Sequence, residues 1–168
     1  MPTLVSVDAP AQYVWWRLPR HARSAARARA LLRERARLWQ LPAGTAETAV
    51  LLLSELVANA CRHARVSPGR QIHALCVVRG EKLRIEVSDA GDGFPCVREP
   101  RPLAEAGRGL RVVAALADAW GAVPRPYGIG KTVWCELTIG PDGSGAHAGA
   151  HENGMHHSEG GGDRSSFG

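Results

Sequence analysis

The sequence lacks any apolar run long enough to cross a membrane as a helix. No stretch of its 168 residues approaches the roughly 20 consecutive apolar residues that spanning requires. The N-terminus also lacks the basic-then-apolar order of a signal peptide. We therefore expect a cytoplasmic protein, and the 45% apolar content is ordinary for a single globular domain.

Cysteine and aromatic residues are scarce as well. The sequence has four cysteines, Cys61, Cys76, Cys96 and Cys135, at irregular spacings and with no CxxC pair. This argues against both a zinc site and a disulfide framework, so we expect reduced and mostly buried thiols. Aromatic residues make up only 5% of the chain, and no aromatic or glycine-rich RNA-binding signature is present.

Positive charge is abundant, and much of it is concentrated near the N-terminus. The formal net charge is +5, and eight arginines fall between Arg17 and Arg37. Residues 20–39 are predicted as a helix with an apolar stripe of Ala25, Ala28, Leu32, Ala36 and Trp39. Most of the arginines point away from that stripe. They form either a solvated helix face, which we favour, or a contact for nucleic acid or an acidic protein.

A second helix, predicted over residues 46–63 with Thr45 as its N-cap, carries two polar residues at the edge of a broad apolar face. Glu55 and Asn59 are four apart, so their side chains lie side by side. A carboxylate can act as a base, and an amide oxygen is a hard ligand for Mg²⁺. The alternative is that both are ordinary surface residues of an amphipathic helix.

Five strands are predicted, at residues 13–18, 71–78, 82–87, 119–124 and 132–139. The first is a candidate edge strand, and Thr132 opens the last. The second and third are joined by a short glycine-containing link, which favours an antiparallel hairpin. The third alternates polar and apolar side chains, so one face of the sheet is solvated and helices cover the other.

Two glycine motifs follow. In Asp89-x-Gly91-x-Gly93 the glycines allow a sharp turn and a close approach to a ligand, although a turn with no ligand would use the same residues. The second motif, Gly107-Arg108-Gly109-Leu110, opens a helix whose bare N–H groups suit an anionic phosphate, with added charge from Arg108. Residues 96–106, between the motifs, are predicted to form a flexible lid.

The chain therefore divides into three parts. Residues 1–12 are expected to be a flexible N-terminus and residues 13–139 a folded domain. Residues 140–168 are rich in Gly, His and Ser. Because they have almost nothing to bury, we expect a disordered tail.

The order of these motifs resembles the GHKL ATPase superfamily. The order is the helix with Glu55 and Asn59, the Asp89-x-Gly91-x-Gly93 turn, a lid, the Gly107-x-Gly109 helix start, and Gly130-Lys131-Thr132 opening the last strand. Within the superfamily, the sequence ELVANACRHA at residues 55–64 resembles the anti-sigma-factor serine kinases of the RsbW and SpoIIAB type.

The resemblance implies an α/β sandwich of the Bergerat type, with a mixed, mainly antiparallel sheet covered on one face by helices. It also implies roles for the site residues. Asn59 would ligate Mg²⁺ between the ATP phosphates, and Glu55 would serve as the catalytic base. Asp89 would accept a hydrogen bond from the adenine amino group, supported through water by Thr132. The remaining expected ligand-binding residues are Gly91 and Gly93 beside the base, and Gly107, Arg108, Gly109 and Leu110 along the phosphates.

The function implied is that of an ATP-dependent anti-sigma factor serine/threonine kinase. Such a protein binds a sigma factor and phosphorylates a small anti-sigma antagonist on serine, and the family suggests a homodimer. The alternative is a nucleotide-binding regulatory module that sequesters a partner protein without phosphotransfer. A third hypothesis, nucleic-acid binding through the arginine-rich helix, would require a steep salt dependence, and we expect no nucleic-acid partner.

Overall fold

The fold was analysed in a computed structural model that describes residues 10–62, 71–90, 108–126 and 130–140. Its elements are, in chain order, β1 (Gln12–Pro19), α1 (Arg23–Leu38), α2 (Ala43–Arg62), β2 (Gln71–Arg79), β3 (Lys82–Asp89), α3 (Arg108–Leu116), β4 (Ala119–Pro124) and β5 (Lys131–Thr138). Each predicted helix and strand is present. The predicted lid, residues 1–9 and the tail beyond Gly140 lie outside the described residues.

The five strands form one sheet in the order β1-β2-β3-β5-β4. All four neighbouring pairs are antiparallel, so the expectation of a mainly antiparallel sheet is confirmed, with no parallel pair among the described strands. β1 is an edge strand as predicted. β2 and β3 form the predicted hairpin, whose turn contains Gly80 at a positive φ of 55°, a conformation that glycine adopts without steric strain.

One face of the sheet is covered by the helices. Along β3, Leu83, Ile85 and Val87 are buried while the residues between them are half-exposed, because successive side chains in a strand point to opposite faces. The buried face packs against α2, whose Leu53 and Leu56 belong to the same core cluster. α1 packs against α2 through its own buried stripe. None of the helices among the described residues is long and apolar enough to span a membrane.

The N-terminus of α2 differs from the prediction. The helix begins at Ala43, because the carbonyl of Pro42 already accepts the backbone N–H of Ala46 at 2.9 Å. Thr45 therefore lies within the first turn, and its assignment as N-cap was wrong. Its hydroxyl instead donates to the carbonyl of Gly140 at 3.4 Å, just beyond β5.

The thiols described by the structure are unpaired, as expected. Cys76 and Cys135 are buried on the core face of the sheet, and Cys61 is partly buried on α2. Burial raises the pKa of Cys135 to about 12, so this thiol stays protonated and unreactive at neutral pH. Cys96 lies outside the described residues.

Candidate functional site

Glu55 lies against the first turn of α3. A Cβ built on Gly109 would be only 2.7 Å from Oε2 of Glu55, so the carboxylate occupies the space that any other residue at position 109 would fill. Gly109 is the second residue of α3. The contact therefore places a carboxylate beside the end of a helix that carries bare N–H groups and partial positive charge.

Asn59 follows Glu55 by one turn of α2, and it is only 6% exposed. Leu56, Val57 and Ala60 around it are buried in the core. Burial of an amide side chain is unfavourable unless its polar atoms have partners. An ordinary surface residue of an amphipathic helix would be more exposed, so the surface alternative does not apply to Asn59.

Asp89 lies at the end of β3, where the backbone of Gly130, just before β5, comes unusually close. A Cβ on Gly130 would be 1.9 Å from the carbonyl oxygen of Asp89, and Gly130 has a positive φ of 84°. Both the space and the backbone conformation therefore require glycine at this position. The side chain of Asp89 is buried on the helix-covered face.

Lys131 forms a buried ion pair with Asp89. Its Nζ lies 3.1 Å from Oδ2 and 3.3 Å from Oδ1 of the carboxylate, and the two side chains are only 3% and 1% exposed. Sequence reasoning missed this residue as a site candidate. The signal was available, because Val133, Cys135 and Leu137 on alternate positions of β5 point to the core, and Lys131 continues that series.

Thr132 lies on the other face of the sheet. It pairs with Ser88, and the two hydroxyl oxygens are 2.7 Å apart. The expected support of Asp89 by Thr132 through water therefore does not fit this register. Lys131 holds the position opposite Asp89, because a shift of one residue along a strand reverses the face to which a side chain points.

Comparison with known proteins identifies the family of this chain. Residues 18–135 match the model of the histidine kinase-like ATPase domain. The chain belongs to that family. No curated protein matches it. Among solved structures it is similar to the histidine kinase domain of the blue-light activated histidine kinase EL346 from Erythrobacter litoralis, with 28% identity and a TM-score of 0.42. That match covers 57% of this chain, which spans 45% of the length of the solved structure.

The histidine kinase-like ATPase domain has the GHKL fold, seen here in the described part of the chain as a five-stranded antiparallel sheet with three helices. The other expected site residues are only partly described. Arg108 is exposed at the first residue of α3, and Leu110 is half-buried against the core. Gly91, Gly93 and Gly107 lie outside the described residues.

The described residues of this ATPase domain fit a divalent metal that protein and nucleotide would bind jointly. Within the described ranges no group of three or more His, Cys, Asp or Glu side chains could hold a metal ion. Mg²⁺ does not need such a cage, since it is commonly bound through one or two protein oxygens together with substrate phosphates and water. The amide oxygen of Asn59 is a donor of that kind.

The arginine-rich helix lines a separate groove between α1 and α2. The groove has a cavity volume of about 660 Å³ and is bordered by Arg29, Arg33 and Arg37 over an apolar floor that includes Leu41 and Val50. Arg29 also donates to the hydroxyl of Ser54 at 2.7 Å, joining the two helices. The arginines therefore line a surface distinct from the contacts of Glu55 and Asp89 described above.

Proposed function

We propose that this ATPase domain is an anti-sigma factor serine/threonine kinase. It binds Mg·ATP, transfers the γ-phosphoryl group to a serine of a small anti-sigma antagonist, and binds a sigma factor in its other state. The observation that carries the proposal is the contact of the Glu55 carboxylate with Gly109 at the start of α3. A domain that only holds a nucleotide does not require a carboxylate positioned at a phosphate-binding helix end.

Each residue of the site has a separate task in this proposal. Asn59 supplies a neutral oxygen to Mg²⁺, which when bound neutralises charge on the ATP phosphates. The first turn of α3 donates backbone N–H groups to the same phosphates. Asp89 accepts a hydrogen bond from the amino group of adenine. Charge neutralisation and positioning of this kind supply most of the acceleration in phosphoryl transfer.

Glu55 acts on the attacking group. The serine hydroxyl of the substrate loses its proton to a carboxylate oxygen of Glu55, and the serine oxygen bonds to the γ-phosphorus. The bond between the γ-phosphorus and the β–γ bridging oxygen breaks, and ADP leaves. Gly109 contributes by the absence of a side chain, because only a Cβ-free residue leaves the carboxylate its place beside the helix end.

The test is to incubate the wild-type protein with γ-labelled ATP and candidate antagonist proteins encoded by neighbouring genes. We expect label transfer to a serine of one antagonist, together with nucleotide binding measured by calorimetry. ATP binding without transfer to any candidate would favour the alternative function, a nucleotide-binding module that sequesters its partner. Absence of ATP binding would exclude both.

Gly109→Ala is expected to lower phosphoryl transfer without lowering stability. The new Cβ would collide with Oε2 of Glu55, so the flexible carboxylate must turn away. The helix itself should tolerate alanine, which is favoured over glycine in helix interiors by roughly 0.5–1 kcal/mol. We expect an undiminished melting temperature and a loss of transfer on the order of 10²-fold, as for other misplaced catalytic groups.

The matched control is Gly140→Ala, because a Cβ there meets nothing within 4 Å and the residue has no positive φ. This variant should transfer label at the wild-type rate. Full activity of Gly109→Ala, with the crowding confirmed by its structure, would show that the position of the carboxylate does not matter.

A further inference from the structure

Three arginines form one wall of the groove between α1 and α2, which we call the arginine groove. Arg29, Arg33 and Arg37 are spaced four residues apart on α1, so they lie along one side of the helix in a row about 12 Å long. Arg33 and Arg37 are exposed, and neither forms an ion pair with another described residue. Their charge is therefore available to a ligand.

The floor of the arginine groove is apolar. It includes Leu41 and Val50, and Leu51 at its border is 41% exposed. Apolar surface bordered by polar or charged residues is typical of interaction sites. This combination suits a ligand that is both apolar and acidic.

The two walls of the groove are helices, and this decides which form of chain fits between them. Backbone groups inside α1 and α2 are already hydrogen-bonded within their own helices. An extended segment would find no strand edge with which to pair, whereas a helix satisfies its own backbone and can place an apolar face into a groove. Acidic residues four apart on such a helix have the same spacing as the three arginines.

The opposite wall argues against a nucleic acid as the occupant. Glu47 of α2 also lines the groove, and its charge would repel a continuous chain of phosphates. A second copy of the domain does not fit either, because none of its described helices has an acidic face. α1 contains one acidic residue, α2 two and α3 none. The acidic helix must therefore come from a different protein.

We propose that the arginine groove is a docking site for an acidic amphipathic helix of a partner protein. The apolar face of that helix packs on the floor beside Leu51, and its carboxylates pair with Arg33 and Arg37. Arg29 contributes less, because it already donates to the hydroxyl of Ser54 at 2.7 Å. The inference goes beyond the proposed function, since it concerns a separate surface and does not depend on phosphoryl transfer.

The test uses a synthetic helical peptide with leucines along one face, glutamates at every fourth position on one flank and glutamines on the other. Its affinity for the full chain is measured by fluorescence anisotropy. In the double variant Arg33→Glu/Arg37→Glu, the wall of the groove repels the peptide, so we expect a loss of affinity of at least about 10-fold. The melting temperature should stay near that of the wild type, because both residues are exposed.

Two controls distinguish docking from a general effect of net charge. Arg23→Glu/Arg27→Glu makes the same change of charge on exposed residues of α1 that do not line the groove, and it should bind the peptide nearly as tightly as the wild type. A second peptide, with lysine in place of each glutamate, should reverse the preference. It should bind Arg33→Glu/Arg37→Glu more tightly than it binds the wild type.

The apolar floor is tested with a matched pair of leucines. Leu51→Ala removes apolar surface that lines the groove and should weaken binding of the glutamate peptide several-fold. Leu38→Ala removes an exposed leucine outside the groove and should leave the affinity unchanged.

Several results would overturn the inference. The first is that the wild type does not bind the glutamate peptide, or binds it no more tightly than Arg33→Glu/Arg37→Glu does. The others would identify a different occupant: tighter binding of duplex DNA with a steep salt dependence, displacement of the peptide by a fatty acid, or self-association in sedimentation that the double variant abolishes. ATP binding and label transfer test the proposed function separately, so failure of one proposal is distinguishable from failure of the other.

Discussion

Glu55→Gln is expected to lower phosphoryl transfer by about 10²–10⁴-fold, the usual contribution of a general base. Glutamine has the shape of glutamate and can fill the same place beside Gly109, but its amide cannot take a proton from the substrate serine. Nucleotide affinity should stay near that of the wild type, because in the proposed mechanism the phosphates are held by the start of α3 and by Mg²⁺ bound to Asn59, not by Glu55. The measurement is label transfer from ATP alongside calorimetric affinity.

Two further variants show whether a loss of transfer in Glu55→Gln is specific to the proposed base. Glu81→Gln is the matched control, since Glu81 is exposed in the turn between β2 and β3, at the opposite end of β3 from Asp89, and it should transfer label normally. Asn59→Ala should reduce both binding and transfer, because the proposed Mg²⁺ site would lose its protein ligand and the phosphates would lose the metal that clamps them. A Glu55→Gln protein that phosphorylates a genuine substrate at the wild-type rate would disprove the base assignment.

Asp89→Asn is expected to weaken nucleotide binding by about 1.5–3 kcal/mol, the loss associated with a hydrogen bond to a charged group. It should also destabilise the protein without nucleotide, because the buried ammonium of Lys131 loses its counter-charge. Removing one member of a buried ion pair typically lowers the free energy of unfolding by about 3–5 kcal/mol. Calorimetry and urea denaturation measure the two effects separately.

Asp118→Asn controls for the general effect of removing an aspartate from an ion pair. Asp118 is paired with Lys82 at the surface, where the two side chains are 37% and 53% exposed, and it should leave nucleotide affinity unchanged. If Asp89→Asn binds ATP as tightly as the wild type, Asp89 does not contact the base.

The helices and strands could be predicted because each depends on local periodicity. Alternating apolar residues in β3 and the stripe along α1 encode which side is buried, and both were read correctly from the sequence. The beginning of α2 was missed because a threonine three residues after a proline is an attractive cap in sequence. In the structure the Pro42 carbonyl accepts the backbone N–H of Ala46, so the helix begins earlier, and the Thr45 hydroxyl donates to the carbonyl of Gly140.

The site could be predicted only as far as its motifs reach. Glu55 and Asn59 are neighbours on one helix, so their spacing predicts their proximity. The contact of Glu55 with Gly109 and the pairing of Asp89 with Lys131 join residues that are distant in the chain. Strand register decides the second contact, and a motif that names Gly130-Lys131-Thr132 does not say which residue faces inward. The alternation along β5 does, once Val133 is known to be buried.

The crowding between Glu55 and Gly109 also makes these two positions dependent on each other during evolution. As long as the carboxylate is retained, any residue with a Cβ at position 109 pushes it aside. A lineage that loses the acid at position 55 is released from this restriction and can accumulate alanine or serine at position 109, since both suit a helix better than glycine does. Under the proposed function, the pair of residues at these two sites therefore records whether phosphoryl transfer is still under selection among descendants of this domain.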